Sequence, residues 1–240
     1  MANWSDPRAS AVPRTAGAAA AARDAGLRSY MLSVYNYMAS GVLLSGIVAL
    51  GFSMSPWAVP VLTSPLRWVF ALAPLGFVFA LSFGVQKMQT STVRALYWAF
   101  TVAMGLSMSS IFLVYTGPSI ATTFFATAAA FVSLSLWGYT TKKDLSGFGT
   151  FLIMGVVGLL VAMLLNLFFQ SPAMAFAISA IGVLLFAGLT AYDTQKIKSM
   201  YFHVAGTDFA GKSVVMSALT LYLDFVNMFT FLLSFLGDRR

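Results

Sequence analysis

Cysteine and glutamate are absent from this 240-residue chain, histidine occurs once, and only 9% of its residues are charged. Each absence excludes something. Without cysteine there is no disulfide framework, thiolate metal site or cysteine nucleophile. A single histidine, His203, leaves no histidine-based metal cluster. Charge at about a quarter of residues is usual for a soluble domain, so too little is present to cover a globular surface. What fills the chain instead is apolar: 59% hydrophobic residues, with 22 Phe and 13 Met. Mean hydropathy is +0.84. These values describe an all-α integral membrane protein that crosses the bilayer several times.

The first 29 residues are alanine-rich and carry Arg8, Arg14, Arg23 and Arg28. No apolar run precedes a small-residue cleavage site, as a secretory signal would require. Asp6, Asp24 and two prolines argue against a transit peptide, so residues 1–29 are expected to form a disordered cytosolic tail. The remaining 30–240 form one transmembrane domain. About 20 apolar residues are needed to cross a hydrocarbon core of ~30 Å, which places spans near 30–52, 66–86, 93–115, 119–140, 148–169, 173–194 and 213–236. Pro56, Pro60 and Pro65, Gly117-Pro118, Lys142-Lys143-Asp144 and Ser171-Pro172 punctuate them. Only helices satisfy their backbone within such segments.

Lysine and arginine orient the bundle. The tail arginines, Lys87 and Arg94, Lys142 and Lys143, and Lys196, Lys198 and Lys212 fall on one side. Arg67, Arg239 and Arg240 fall on the other. The N-terminus is therefore expected in the cytosol and the C-terminus outside, although two arginines sit awkwardly at a translocated end. A last segment that enters and returns would be the alternative. The net charge of +7 then reads as a topology signal and an attraction to anionic lipid headgroups, and no nucleic-acid partner is expected. Two small-residue surfaces, Gly41-Ser45-Ala49 and Gly155-Gly158, are suited to close helix contact.

Acids inside the membrane are the informative residues. Asp6, Asp24, Asp144, Asp208 and Asp238 lie in the tail, loops or C-terminus. Asp193 falls near the cytosolic end of the sixth span and Asp224 well inside the seventh. Asp224 lies about 16 Å along the helix from Ser213, close to mid-bilayer, where an acid costs at least ~2.5 kcal/mol. Ser213, Ser217, Thr220, Asp224, Asn227 and Ser234 form one stripe on this helix, interrupted by Phe231. A single polar stripe on an otherwise apolar helix predicts a central position, facing a pore or hydrogen-bonding its neighbours. If spans six and seven pack antiparallel, Asp193 approaches Asp224. Two carboxylates in one low-dielectric site cannot both ionise easily and titrate as a unit. Such a pair could sense protons or hold a cation. Calcium takes 6–8 oxygens, so these two acids with Asn227, Tyr222, backbone carbonyls and water would give only weak, transient coordination.

Enzymatic alternatives lack their residues. A retinal protein needs a lysine in its last span, and none occurs between 213 and 236. A serine-type intramembrane protease needs histidine in the bilayer, whereas His203 is expected in a loop. A two-aspartate protease needs Gly-x-Gly-Asp, where this chain has Tyr222-Leu223-Asp224. Neither an enzyme nor a resident cofactor is expected.

The run Tyr192-Asp193-Thr194-Gln195-Lys196-Ile197-Lys198, with Leu221-Tyr222-Leu223-Asp224-Phe225-Val226-Asn227, resembles the Bax inhibitor-1 (transmembrane Bax inhibitor motif) family, here a bacterial-type member. The turn Lys142-Lys143-Asp144-Leu145-Ser146 is similar to that family's loop between spans four and five. The resemblance implies seven helices with the last surrounded by the other six. It also implies a pH-dependent calcium leak in which Asp193 and Asp224 form a hydrogen-bonded sensor, supported by Ser217, Thr220, Tyr222 and Asn227. The family's arginine latch has only Lys87 and Arg94 as counterparts here. A different class of function, binding and restraining a membrane-anchored AAA protease, is implied by bacterial relatives. The expected location is the bacterial inner membrane.

Overall fold

A computed structural model describes residues 12–240, with side chains from residue 17 onward. Eight helices follow one another: α1 (Val12–Ser53), α2 (Ala58–Thr63), α3 (Leu66–Gly84), α4 (Thr90–Val114), α5 (Gly117–Thr140), α6 (Ser146–Phe169), α7 (Pro172–Val204) and α8 (Ala210–Leu236). All but α2 are long and apolar enough to cross a membrane, so the seven spans read from the sequence are all present.

Two boundaries differ from the expected ones by ten residues or more, and a short extra helix appears, each for a local reason. Helix α1 starts 18 residues before the expected span, within the segment read as a disordered tail; residues 1–11 of that segment lie outside the described residues. The run Ala18–Ala22 favours helix strongly, and Leu27 and Tyr30 anchor the turns that follow by burying against the bundle. Helix α7 continues ten residues past the expected end at 194, because Ile197 and Val204 keep an apolar face buried beyond the lysines. It stops where Gly206 adopts φ +78°, the left-handed conformation that commonly ends a helix. His203 consequently belongs to the last turn of α7 instead of a loop, its Nδ1 3.1 Å from the Ser199 carbonyl. The proline-bearing 56–65 segment folds into the short α2, beside the exposed Trp57.

Helix α8 packs against α1, α4, α5 and α7. Helix α3 leans on α4 and α2, and α6 leans on α7. The last helix is thus central, with four principal neighbours in place of six. The Gly41-Ser45-Ala49 surface does form an interface: Gly41 meets Tyr97 and Ser45 is buried beside Gly105 of α4. Gly155 meets Leu185 of α7, while nothing packs within reach of Gly158. A contact the small-residue pattern missed is Gly138 of α5, which lies directly on the backbone of Ala191 in α7.

The ends of α8 establish that it crosses fully. Thr116 donates its backbone N–H to the Asp238 carbonyl (3.0 Å), and Arg240 donates to the Val114 carbonyl (2.9 Å). Asp238 in turn donates to Ser119 Oγ, and the Arg239 guanidinium lies over the Tyr115 ring. At the opposite end, Gln195 Oε1 accepts from Leu145 N and Gln195 Nε2 donates to the Lys143 carbonyl. The C-terminal tail therefore shares a face with the α4–α5 turn, and the re-entrant alternative is ruled out.

Candidate functional site: a carboxyl pair on the α7–α8 seam

Successive helices α7 and α8 return on one another through the 205–209 turn, which brings Asp224 to the level of Asp193. The two side chains meet within hydrogen-bonding reach. Both are buried, Asp193 at 8% and Asp224 at 4% exposure. Among the described residues, Asp224 Oδ2 is the one buried side-chain polar atom without a partner. A proton held by either acid would let the two carboxyls share a hydrogen bond across the seam.

Of the nearby cations, only the charge of Lys196 reaches Asp193, and the others are placed elsewhere. Lys196, one turn along α7 from Asp193, lies over the Tyr192 ring. Lys198 Nζ donates to the Tyr139 carbonyl (2.7 Å) and lies over that ring. Arg94 is exposed with its guanidinium beside Gly211, and Lys87 is exposed at the α3–α4 turn. Neither residue occupies a latching position on the carboxyls.

The expected polar stripe divides into separate jobs. Ser213 and Ser217 share hydrogen bonds with the Tyr30 hydroxyl, at 2.7 and 3.2 Å, and so tie α8 to α1. Thr220 Oγ1 donates to the Met216 carbonyl and Asn227 Nδ2 to the Leu223 carbonyl, both within α8. Ser234 is exposed. Tyr222 does not belong with the pair. Two residues from Asp224 is about 200° around a helix, and its hydroxyl meets Ser45 Oγ (2.6 Å), which donates onward to the Thr101 carbonyl. Tyr222 therefore leaves the set of oxygens available to a cation beside Asp193 and Asp224. Among the described residues no three His, Cys, Asp or Glu side chains cluster. The remaining donors fall short of calcium's usual 6–8, which suits passage better than storage.

Beyond the pair and past Thr190 and Asn227, toward the face that carries the C-terminus, two aromatic rings meet across the seam. Phe186 of α7 and Phe231 of α8 stack with ring centroids 5.8 Å apart. Each is seven residues from its aspartate, about 10 Å along its helix. Phe231 also fills the space left by Gly182. In the sequence Phe231 was only a break in the stripe; its spacing of seven from Asp224 was the available signal. On the other side of the pair, Thr194 Oγ1 donates to Ser135 Oγ (3.3 Å), joining α7 to α5. At the α5–α6 turn, Asp144 Oδ1 accepts from both the backbone N–H and the hydroxyl of Ser146, which hold its carboxyl below the usual carboxylate range.

The chain is similar to known proteins over most of its length. The family described as inhibitor of apoptosis-promoting Bax1 matches residues 27–240. A Caulobacter vibrioides protein is 47% identical over 229 residues, covering 90% of this chain and 91% of its own. A Rickettsia prowazekii protein is 45% identical, covering 90% and 92%. The inner membrane protein YbhL of Escherichia coli is 43% identical, covering 90% and 94%.

Proposed function

This chain belongs to the Bax inhibitor-1 family of membrane proteins, and from that membership we propose that it is a pH-sensitive calcium leak with Asp193 and Asp224 as its proton sensor. The observation that carries the reading is the buried Asp224 carboxyl, which leaves its Oδ2 unpartnered and has a second buried carboxyl, Asp193, as neighbour. An oxygen left bare in a low-dielectric seam is costly, so the seam favours a bound proton or cation there. Protonation exchanges one electrostatic state of the α7–α8 contact for another. The Phe186–Phe231 stack closes the path beyond the pair, in the manner of an apolar constriction that gates by excluding water. By analogy with YbhL the location is the bacterial inner membrane, with the N-terminus in the cytosol as the lysines and arginines argue. No catalytic group or resident cofactor is assigned, and calcium is the cargo.

Calcium flux into proteoliposomes, measured at several pH values, tests this. Asp224→Asn and Asp193→Asn should each change the flux and flatten its pH dependence. An unchanged profile in both variants would remove the sensor role. The second reading, a regulator that binds a membrane AAA protease without transport, draws on the stripe residues being consumed in helix-to-helix and intrahelical bonds. On that reading wild type carries no flux, and a protease is recovered equally with wild type and Asp224→Asn.

A further inference from the structure

The ring of helices around α8 is not closed. Helix α1 packs on α4 and α8, and α5 packs on α7 and α8. Between α1 and α5 a cleft of about 700 Å³ remains, floored by Phe225 of α8. A second gap of about 310 Å³ continues from it past Val42, Phe124 and Phe225. The cleft walls are apolar except at one end, where Arg28 of α1 and Tyr139 of α5 line the mouth. Lys198 does not line the cleft itself but brings a second cation up to Tyr139, donating to its carbonyl and lying over its ring with donors to spare.

We propose that this cleft is a binding site for an anionic phospholipid, with one acyl chain between α1 and α5 and its phosphate at Arg28 and Lys198. Dimensions separate this occupant from a polypeptide. Along α1 the lining runs from Arg28 to Val42, about 21 Å, which matches one leaflet of a ~30 Å core plus the headgroup level. A volume of about 700 Å³ over that length leaves a cross-section of about 33 Å². An α-helix about 10 Å across needs more than twice that, whereas a single hydrocarbon chain fits. Charge then selects the lipid. Two cations at an otherwise apolar mouth favour a phosphate with no compensating choline. Tyr139 beside Lys198 is of the type that settles at headgroup depth.

The full chain, purified in mild detergent and stripped of lipid, is offered phosphatidylglycerol or phosphatidylcholine, and retained lipid is counted by native mass spectrometry. Wild type should retain one phosphatidylglycerol in preference to phosphatidylcholine. Arg28→Ala should weaken phosphatidylglycerol retention about fivefold and leave phosphatidylcholine unchanged. Ala128→Phe, which fills the cleft from α5, should abolish retention of both while helicity and melting match wild type; Ala39→Phe from α1 is the substitute where that variant fails to fold. Equal retention of the two lipids, retention indifferent to the cleft-filling variants, or oleate displacing phosphatidylglycerol at equal concentration would each overturn the assignment. None of these outcomes depends on calcium flux, so the lipid site and the leak stand or fall separately.

Discussion

Asp224 and Phe231 occupy the same stripe of α8, and in the proposed leak they do opposite things for an ion. The carboxyl would offer it a site in the membrane interior, and the ring two turns away would keep water from the next stretch of seam. Phe231 stacks on Phe186 and fills the notch at Gly182, so truncating it opens space at that notch. We therefore expect Phe231→Ala to raise basal calcium leak severalfold without shifting its pH midpoint, because the carboxyl pair is untouched. Radiocalcium or fluorescent flux assays on the same proteoliposomes read both quantities, and an unchanged leak would place the seal elsewhere. The two aspartates were legible in the sequence because an acid in an apolar span stands out against its neighbours. Phe231 was not, since one phenylalanine among 22 gains meaning only from the ring opposite it. Tyr222 was misread for a related reason. Adjacency to Asp224 in the motif suggested a shared site, whereas helical geometry turns its hydroxyl toward Ser45.

At the level of helices, the α5–α7 contact fixes how the pair is held. Gly138 lies against the Ala191 backbone two residues before Asp193, and a Cβ there would meet backbone atoms that cannot swing aside. Gly138→Ala is expected to force the helices apart at a cost of about 1–3 kcal/mol, the usual penalty of overpacking. The displacement should weaken the nearby Thr194–Ser135 hydrogen bond and alter the pH profile of flux along with thermal stability. Gly158→Ala, facing open space, is the matched control and should change neither. Equal melting temperatures for the two variants would contradict the packing assigned to Gly138. Spacing alone could not separate these glycines. Gly155 and Gly158 form the more regular small-residue pattern, yet only Gly155 meets a neighbour, because the pattern records where a helix could approach and not from which direction another comes. Helix ends were obscured similarly. Polar residues after 194 looked like a loop until Ile197 and Val204 supplied a buried face.

For the whole molecule, seven spans place the chain's ends on opposite sides, and the positive charge decides which is which. Relative sidedness is fixed by contacts, since the C-terminal tail is hydrogen-bonded to the α4–α5 turn and Gln195 to the α5–α6 turn. Lys142, Lys143, Lys196 and Lys198 cluster at the latter face, and on that ground we propose that it is the cytosolic one. Arg239 and Arg240 oppose it weakly. Arg239 is engaged over Tyr115 and Arg240 through its backbone, so their contacts hold the tail where full crossing of α8 has put it. The absence of cysteine makes the orientation directly measurable. His203→Cys sits in the exposed last turn of α7, and Asp238→Cys on the exposed C-terminal tail. A membrane-impermeant maleimide should label Asp238→Cys in spheroplasts and His203→Cys only in inverted vesicles. The reverse pattern would invert the bundle, and with it the side from which protons reach Asp193. Labelling of both from one side would contradict a seven-span fold outright.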